Sequence, residues 1–161
     1  MRIDRIVDEV AAAGRGGHAA LVLEEGRALS YGQLAARIEE AAAALTEAGL
    51  APGQRMVLVG ENSEDMVVLL LGAIRAGGWA VPLNARMSGG EIDAICAHCE
   101  PRLVYFAVGA SGEALAHAER RGAGGVLACT PGGRLQRCEG PGTEPEDASG
   151  EVALMIYTSG S

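Results

Sequence analysis

The chain has 161 residues, 48% of them hydrophobic, which is enough for one domain with a real core and excludes a disordered chain. A formal net charge of −8 argues against a nucleic-acid or anionic-membrane surface as the main partner, but not against a nucleotide held by backbone amides and helix N-termini. All 13 basic residues are arginine, so chemistry that requires a lysine amine cannot be completed within these residues.

The opening "MRIDRIVDEVAAAG" carries acids, has no secretory signature, and reads as an amphipathic helix with Ile3, Ile6, Val7 and Val10 on one face. "GRGGHA" at 14–19 matches a loose G-x-G-x-x-A pattern. A dinucleotide fingerprint needs a strand before it and a helix after it, and here the order is reversed, so a helix-to-strand connection is expected. Residues 19–23 read as a strand, 24–27 as a turn and 28–29 as a second strand. Ser30 with Gln33 makes a capping box, followed by Leu34, Ile38, Ala41, Ala42 and Leu45 at helical spacing, with Gly49 as the stop.

Pro52-Gly53 marks a turn, and the apolar run 56–59 reads as a strand buried on both faces. Asn62 or Ser63 caps the next helix, with Glu64 and Asp65 in its first turn and Gly77-Gly78 at its end. A strand over 79–83 completes a right-handed βαβ unit. The longest apolar run, 66–74, is too short to span a bilayer, so a soluble, cytoplasmic protein without a transmembrane segment is expected. The βα alternation continues with a helix over 88–99 capped at Ser88, a strand over 103–108, a helix over 113–121 and a strand over 125–129. The fold class expected is α/β: a mostly parallel, helix-covered sheet of repeated βα units. Residues 130–150, rich in Gly, Pro and acids, read as a mobile surface connection, and a final strand over 152–157 follows.

Several residues invite a chemical role and are better explained without one. "CAHC" (Cys96, His98, Cys99) has no second ligand pair, and Cys129 and Cys138 stand apart, so buried or half-buried free thiols are expected rather than a metal or redox site. His18, His98 and His117 are scattered and read as surface or hydrogen-bonded histidines. Glu119 to Arg121 read as a solvated helix face, Trp79 as packing between sheet and helix, and Tyr157 as packing at a strand end. "YTSGS" is different. An apolar strand delivers three hydroxyls (Thr158, Ser159, Ser161) and a glycine, Gly160, to a strand end, where successive amides can form an anion nest. On those five residues alone, a plain Ser/Gly turn is the stronger reading.

"MIYTSGS" resembles the opening of the phosphate-binding motif of the AMP-forming adenylate-forming superfamily, which includes acyl-CoA synthetases, peptide-synthetase adenylation domains and luciferases. Upstream, "LSYGQL", "GLAPGQRM", "LVGENS" and "AGGWAVPLN" occur in the family's order; "GQRM" stands where Gly-Asp-Arg-Val is common, a surface-loop departure. The resemblance is good over 21–99, fades over 101–150 and returns at the end. It implies a partial N-terminal AMP-binding domain over 1–161, with a βα core at 19–129, a linker at 130–150 and a strand plus the start of a phosphate loop at 151–161. The family's motif lysine and the C-terminal domain with its catalytic lysine would then lie outside these residues, which makes the sequence a fragment, inactive alone. "VPLNARMSGGEI" resembles the acyl-CoA ligase form of its segment, so the resemblance implies a carboxylate–CoA ligase using ATP, Mg and coenzyme A on a small carboxylic acid. The family's two half-reactions give an acyl-adenylate with pyrophosphate, then a thioester with AMP. Thr158, Ser159, Gly160 and Ser161 would hold the ATP phosphates, with no catalytic residue and no metal ligand in the chain. The alternatives are a peptide-synthetase-type adenylation domain and a non-catalytic α/β binding module.

Overall fold

The computed structural model describes residues 2–139 and 151–158. Strands β1 (Ala19–Val22) and β2 (Ala28–Ser30) form a separate antiparallel hairpin. The main sheet contains β3 (Arg55–Gly60), β4 (Trp79–Asn84), β5 (Leu103–Phe106), β6 (Gly125–Leu127) and β7 (Thr130–Arg137), in the order β4-β3-β5-β7-β6. Helices α2 (Tyr31–Glu47) and α3 (Glu64–Arg75) cover one face; α4 (Gly89–Cys99) and α5 (Gly112–Arg120) cover the other. The short α1 (Ile6–Val10) packs against α2.

Strand β3 is buried along its whole length and is parallel to β4 on one edge and β5 on the other. Alternation sorts its side chains. Met56 and Leu58 join Ala80, Leu103 and Tyr105 under α2 and α3, whereas Val57 and Val59 join Val81, Leu83, Val104 and Phe106 under α4 and α5. The helix starts are fixed locally, as the sequence predicts. Ser30 Oγ accepts from Gln33 N at 3.2 Å while Ser30 N donates to Gln33 Oε1 at 2.9 Å, and Ser88 with Glu91 repeats the capping box. Ser63, not Asn62, caps α3. Gly49 follows α2 at φ 104°, a conformation that costs glycine little. A Cβ on Gly72 would lie 2.7 Å from Ala41 Cβ, so α2 and α3 pass at a distance only glycine permits. Trp79 is buried at the start of β4, with the Arg55 guanidinium 5.8 Å from its ring centroid.

The structure departs from the sequence reading in four places. The N-terminal segment is not one helix. A 3₁₀ turn at Ile3–Arg5, α1 and a π turn at Ala11–Arg15 follow one another, with non-helical backbone at Ala13 and Gly14. Of the expected apolar face, Val7 is buried but Ile3 and Ile6 are 43% and 39% exposed. The segment is anchored instead by a charge: Asp4, 1% exposed, accepts from Arg75 Nε at 2.9 Å, and Arg75 also reaches Asp8 at 2.7 Å and Glu39. Second, the expected connection over 130–150 begins as a strand. Thr130–Arg137 is β7, antiparallel to β5 with Tyr105 opposite Leu135, and 140–150 lies outside the described residues. Its low apolar content misleads because, beside the buried Leu135, its fit to β5 rests on a missing side chain: a Cβ on Gly133 would lie 2.0 Å from Tyr105 Oη. Third, the sheet is therefore mixed, parallel over β4-β3-β5 and antiparallel at β5-β7-β6. Fourth, the final strand is reduced to a single parallel bridge, Ala80 to Leu154, with Ala80 N donating to Ala153 O at 3.0 Å and Met155 N to Ala80 O at 2.9 Å.

Two stability predictions follow from these contacts. Gly133→Ala must displace Tyr105 and should cost about 1–3 kcal/mol in urea unfolding, whereas Gly132→Ala, with open space around it, should change stability by less than about 0.5 kcal/mol. Burial alone would raise the Asp4 carboxyl, but the Arg75 and Arg2 guanidiniums outweigh it and hold the group below its ordinary 3.8. Its contribution to stability is then fully present above pH 3.8 and is lost as pH falls through the lowered folded-state value. Asp4→Asn should destabilise by about 1–3 kcal/mol at neutral pH, and the difference from the parent protein should shrink as denaturation is repeated below pH 3.8.

Candidate functional site at the strand ends

In an open α/β sheet, ligands are taken in the crevice beyond the carboxyl ends of parallel strands, where successive crossovers diverge. Here the crossover through α3 covers one face and the crossover through α4 the other, so the connections diverge around β3. At that end an open cleft of about 460 Å³ lies between the loop after β3 and the loop after β4. Gly60, Asn62, Met66, Asn84 and Arg86 line it. A Cβ on Gly60 would lie 2.8 Å from both Met66 Sδ and Ala107 Cβ, so the strand end stays bare. Asn84 Oδ1 accepts from Arg86 N at 2.9 Å, and Arg86 Nε reaches Glu61 at 3.0 Å across the cleft mouth. Both partners are solvated, so this pair orients the loops more than it stabilises them.

Behind the cleft, the N-terminus of α3 already has its counter-charges. Glu64 and Asp65 occupy its first turn. Glu64 pairs with Arg27 at 3.0 Å and with Arg37. Arg37 also donates to Cys129 O at 3.2 Å, and Tyr105 Oη donates to Asp65 Oδ2 at 3.1 Å. Burial pushes the Asp65 carboxyl above its ordinary value, against the Tyr105 hydrogen bond and the Arg37 charge. Burial likewise pushes the Tyr105 phenol well up, which keeps it a donor. Sequence reading missed Arg86, Asp65 and Tyr105, since each acquires its role from a partner on another element.

Of the predicted phosphate loop, Thr158 is exposed, and Ser159, Gly160 and Ser161 lie outside the described residues. Tyr157, immediately before it, has its hydroxyl 2.6 Å from His98 Nδ1 and its ring edge-on to that imidazole, centroids 5.7 Å apart. His98 is in the last turn of α4, and Arg55 Nε at the start of β3 donates to Cys99 O at 2.6 Å. The Tyr157 side chain is thus held against the last turn of α4, and Thr158 is not among the residues that line the cleft. His117 Nε2 lies 3.0 Å from Ala85 O, and His18 is exposed. Arg120 and Arg121, expected on a solvated face, both pair with Asp93 of α4, at 2.7 and 2.6 Å. All four cysteines are free, three of them buried. Among the described residues no group of three or more His, Cys, Asp or Glu side chains could hold a metal ion.

Tyr105→Phe removes the donor that holds Asp65 down. The Asp65 carboxyl should then titrate at a still higher pH, read from its side-chain carbon resonance; an unchanged or lower value would dissociate the pair.

The comparisons with known proteins point one way. Over 149 residues the chain is 32% identical to a feruloyl-CoA synthase of Amycolatopsis sp, covering 89% of this chain and 28% of that protein. Over 85 residues it is 39% identical to the fatty acid–[acyl-carrier-protein] ligase ScoC of Streptomyces coeruleorubidus, covering 53% and 16%. The chain thus spans less than a third of the length of these relatives. Its fold matches the inhibitor-bound N-terminal domain of FACL13 from Mycobacterium tuberculosis with a TM-score of 0.65 and 26% identity, over 81% of this chain and 31% of that one. The AMP-binding enzyme family matches residues 8–161, and the chain belongs to that family.

Proposed function

We propose that the chain is the N-terminal part of an ATP-dependent, AMP-forming carboxylate–CoA ligase, one that makes an acyl-adenylate and then an acyl-CoA thioester. The observation that carries this reading is the family match across 8–161, joined to a feruloyl-CoA synthase similarity over 89% of the chain. The motif residues Thr158, Ser159, Gly160 and Ser161 would hold the ATP phosphates through hydroxyls and amides, with Gly160 leaving room for close approach. No helix among the described residues is long and apolar enough to cross a membrane.

The described residues do not by themselves make a nucleotide or magnesium cradle. Arg86 is paired with Glu61, the α3 N-terminus is filled by Glu64 and Asp65, and Thr158 is not among the residues that line the cleft. No chemical step is assigned to them. Their role in this reading is to build the rigid sheet against which the phosphate-binding segment and the rest of the enzyme are set.

A second acceptor is favoured by a specific similarity. The 39% identity with a fatty acid–[acyl-carrier-protein] ligase supports a carrier-protein thiol in place of coenzyme A, as an adenylation domain would use. One assay separates the readings. The protein that carries this chain is incubated with ATP and a panel of carboxylic acids, and pyrophosphate release is followed before and after adding coenzyme A or a thiol-loaded carrier protein. Acid-dependent release with thioester on coenzyme A supports the ligase. Thioester on the carrier alone supports the second acceptor, and no release with any acid supports a non-catalytic module. The 161-residue chain alone should form no acyl-adenylate. In the active protein, Thr158→Val should lower the adenylation rate roughly 10²-fold, the scale for losing one donor to developing charge.

A further inference from the structure

Three thiols gather on the α4 face of the sheet. Cys96 and Cys99 are buried in its apolar cluster, and Cys138, one residue past β7, is half-buried against it. Helix α4 is the crossover between the parallel strands β4 and β5 and so runs opposite to them; β7 is antiparallel to β5, so α4 and β7 run in the same direction.

Arg121 ties these two elements together at one level. Its Nη1 donates to Asp93 Oδ1 on α4 at 2.6 Å, and its Nε donates to Gln136 Oε1 on β7 at 2.9 Å. Gln136 Nε2 returns a bond to Arg121 O at 3.1 Å. One helical turn beyond Asp93 is Cys96, and one strand repeat beyond Gln136 is Cys138. These steps are about 4.5 Å along the helix and about 6.8 Å along the strand, in the same direction. Below the Asp93–Arg121–Gln136 bridge, the two cysteines are therefore brought to one level. Both line a single solvent-open cleft of about 430 Å³ together with Arg121. The Cys138 backbone is fixed there: its N–H donates to Arg102 O at 2.9 Å, and its carbonyl accepts from Arg102 Nη1 at 3.2 Å.

We propose that Cys96 and Cys138 form an oxidisable pair that a peroxide closes into a disulfide, fastening the end of β7 to α4. The more exposed Cys138 thiol reacts first. Its sulfur attacks one peroxide oxygen, the O–O bond breaks, and a sulfenic acid and one water result. The Cys96 sulfur then attacks the sulfenic sulfur and expels a second water. Two thiols lose two electrons to one peroxide, and both protons leave in water. Burial raises both thiols above their ordinary value, with the Arg121 charge opposing it, so closure is faster at higher pH. This pair is independent of which acid the protein activates or which thiol accepts it.

The test is peptide mapping of the full chain. The protein is treated with hydrogen peroxide, its remaining thiols are blocked with N-ethylmaleimide, and it is digested with trypsin without reduction. Cleavage at arginine separates the peptide 87–102, which holds Cys96 and Cys99, from the peptide that begins at Cys138. The expected product is these two peptides joined with loss of two hydrogens, while the free thiols fall from four to two. The linkage should persist in Cys99→Ser, disappear in Cys96→Ser, and form several-fold faster at pH 8.5 than at pH 7. Absence of the linked pair in the unsubstituted protein, its survival in Cys96→Ser, or an internal Cys96–Cys99 bond in 87–102 would each overturn the proposal.

Discussion

Strand β3 has no solvent on any side. Its edges are hydrogen-bonded to β4 and β5, its faces are covered by two helices each, and all six of its residues are buried. Such a strand must satisfy every backbone group through its neighbours, since burying one unpaired costs about as much as a lost hydrogen bond. This constraint sets the positions of the rest. The crossover from β3 to β4 through α3 and the crossover from β4 to β5 through α4 cover opposite faces of β3, and the cleft opens at its carboxyl end. At its other end Arg55, itself buried, spends its guanidinium on Cys99 O and on the face of Trp79, locking the end of α4 and the start of β4 to the same strand.

Most of the fold is legible in the sequence because its signals are local. The Ser30–Gln33 and Ser88–Glu91 boxes sit three residues apart, and the glycine stop after α2 needs no partner. The β3 run declares itself by being apolar without alternation. What is illegible depends on distant residues. Asp4 reads as a polar residue on a helix, and only Arg75, 71 positions away, explains its burial. Strand β7 reads as a loop because its fit to β5 uses the absence of a side chain at Gly133, and an absence has no periodicity.

The candidate site divides along the same line. The segment proposed to hold phosphate is visible through its resemblance to a family, and the family match includes those residues. The cleft is not visible, since Asn84 at the end of β4 and the loop residues Glu61 and Arg86 are ordinary polar residues until two crossovers bring these segments together. The Tyr105–Asp65 contact is equally silent: in the sequence one is a strand aromatic and the other a first-turn acid of α3. Tyr157 was expected to pack at a strand end, but its packing partner, His98, comes from the far end of a helix.

The strand order also has a consequence in time. A ribosome emits β3 and β4 in succession, separated only by α3, so one edge of β3 is paired as soon as Asn84 is made. The other edge waits for β5, which is complete only at Phe106. At about 5–20 residues per second, this fully buried strand is left with an open edge for roughly one to four seconds of every synthesis. That interval is where a nascent chain of this topology is most exposed to pairing with the wrong neighbour.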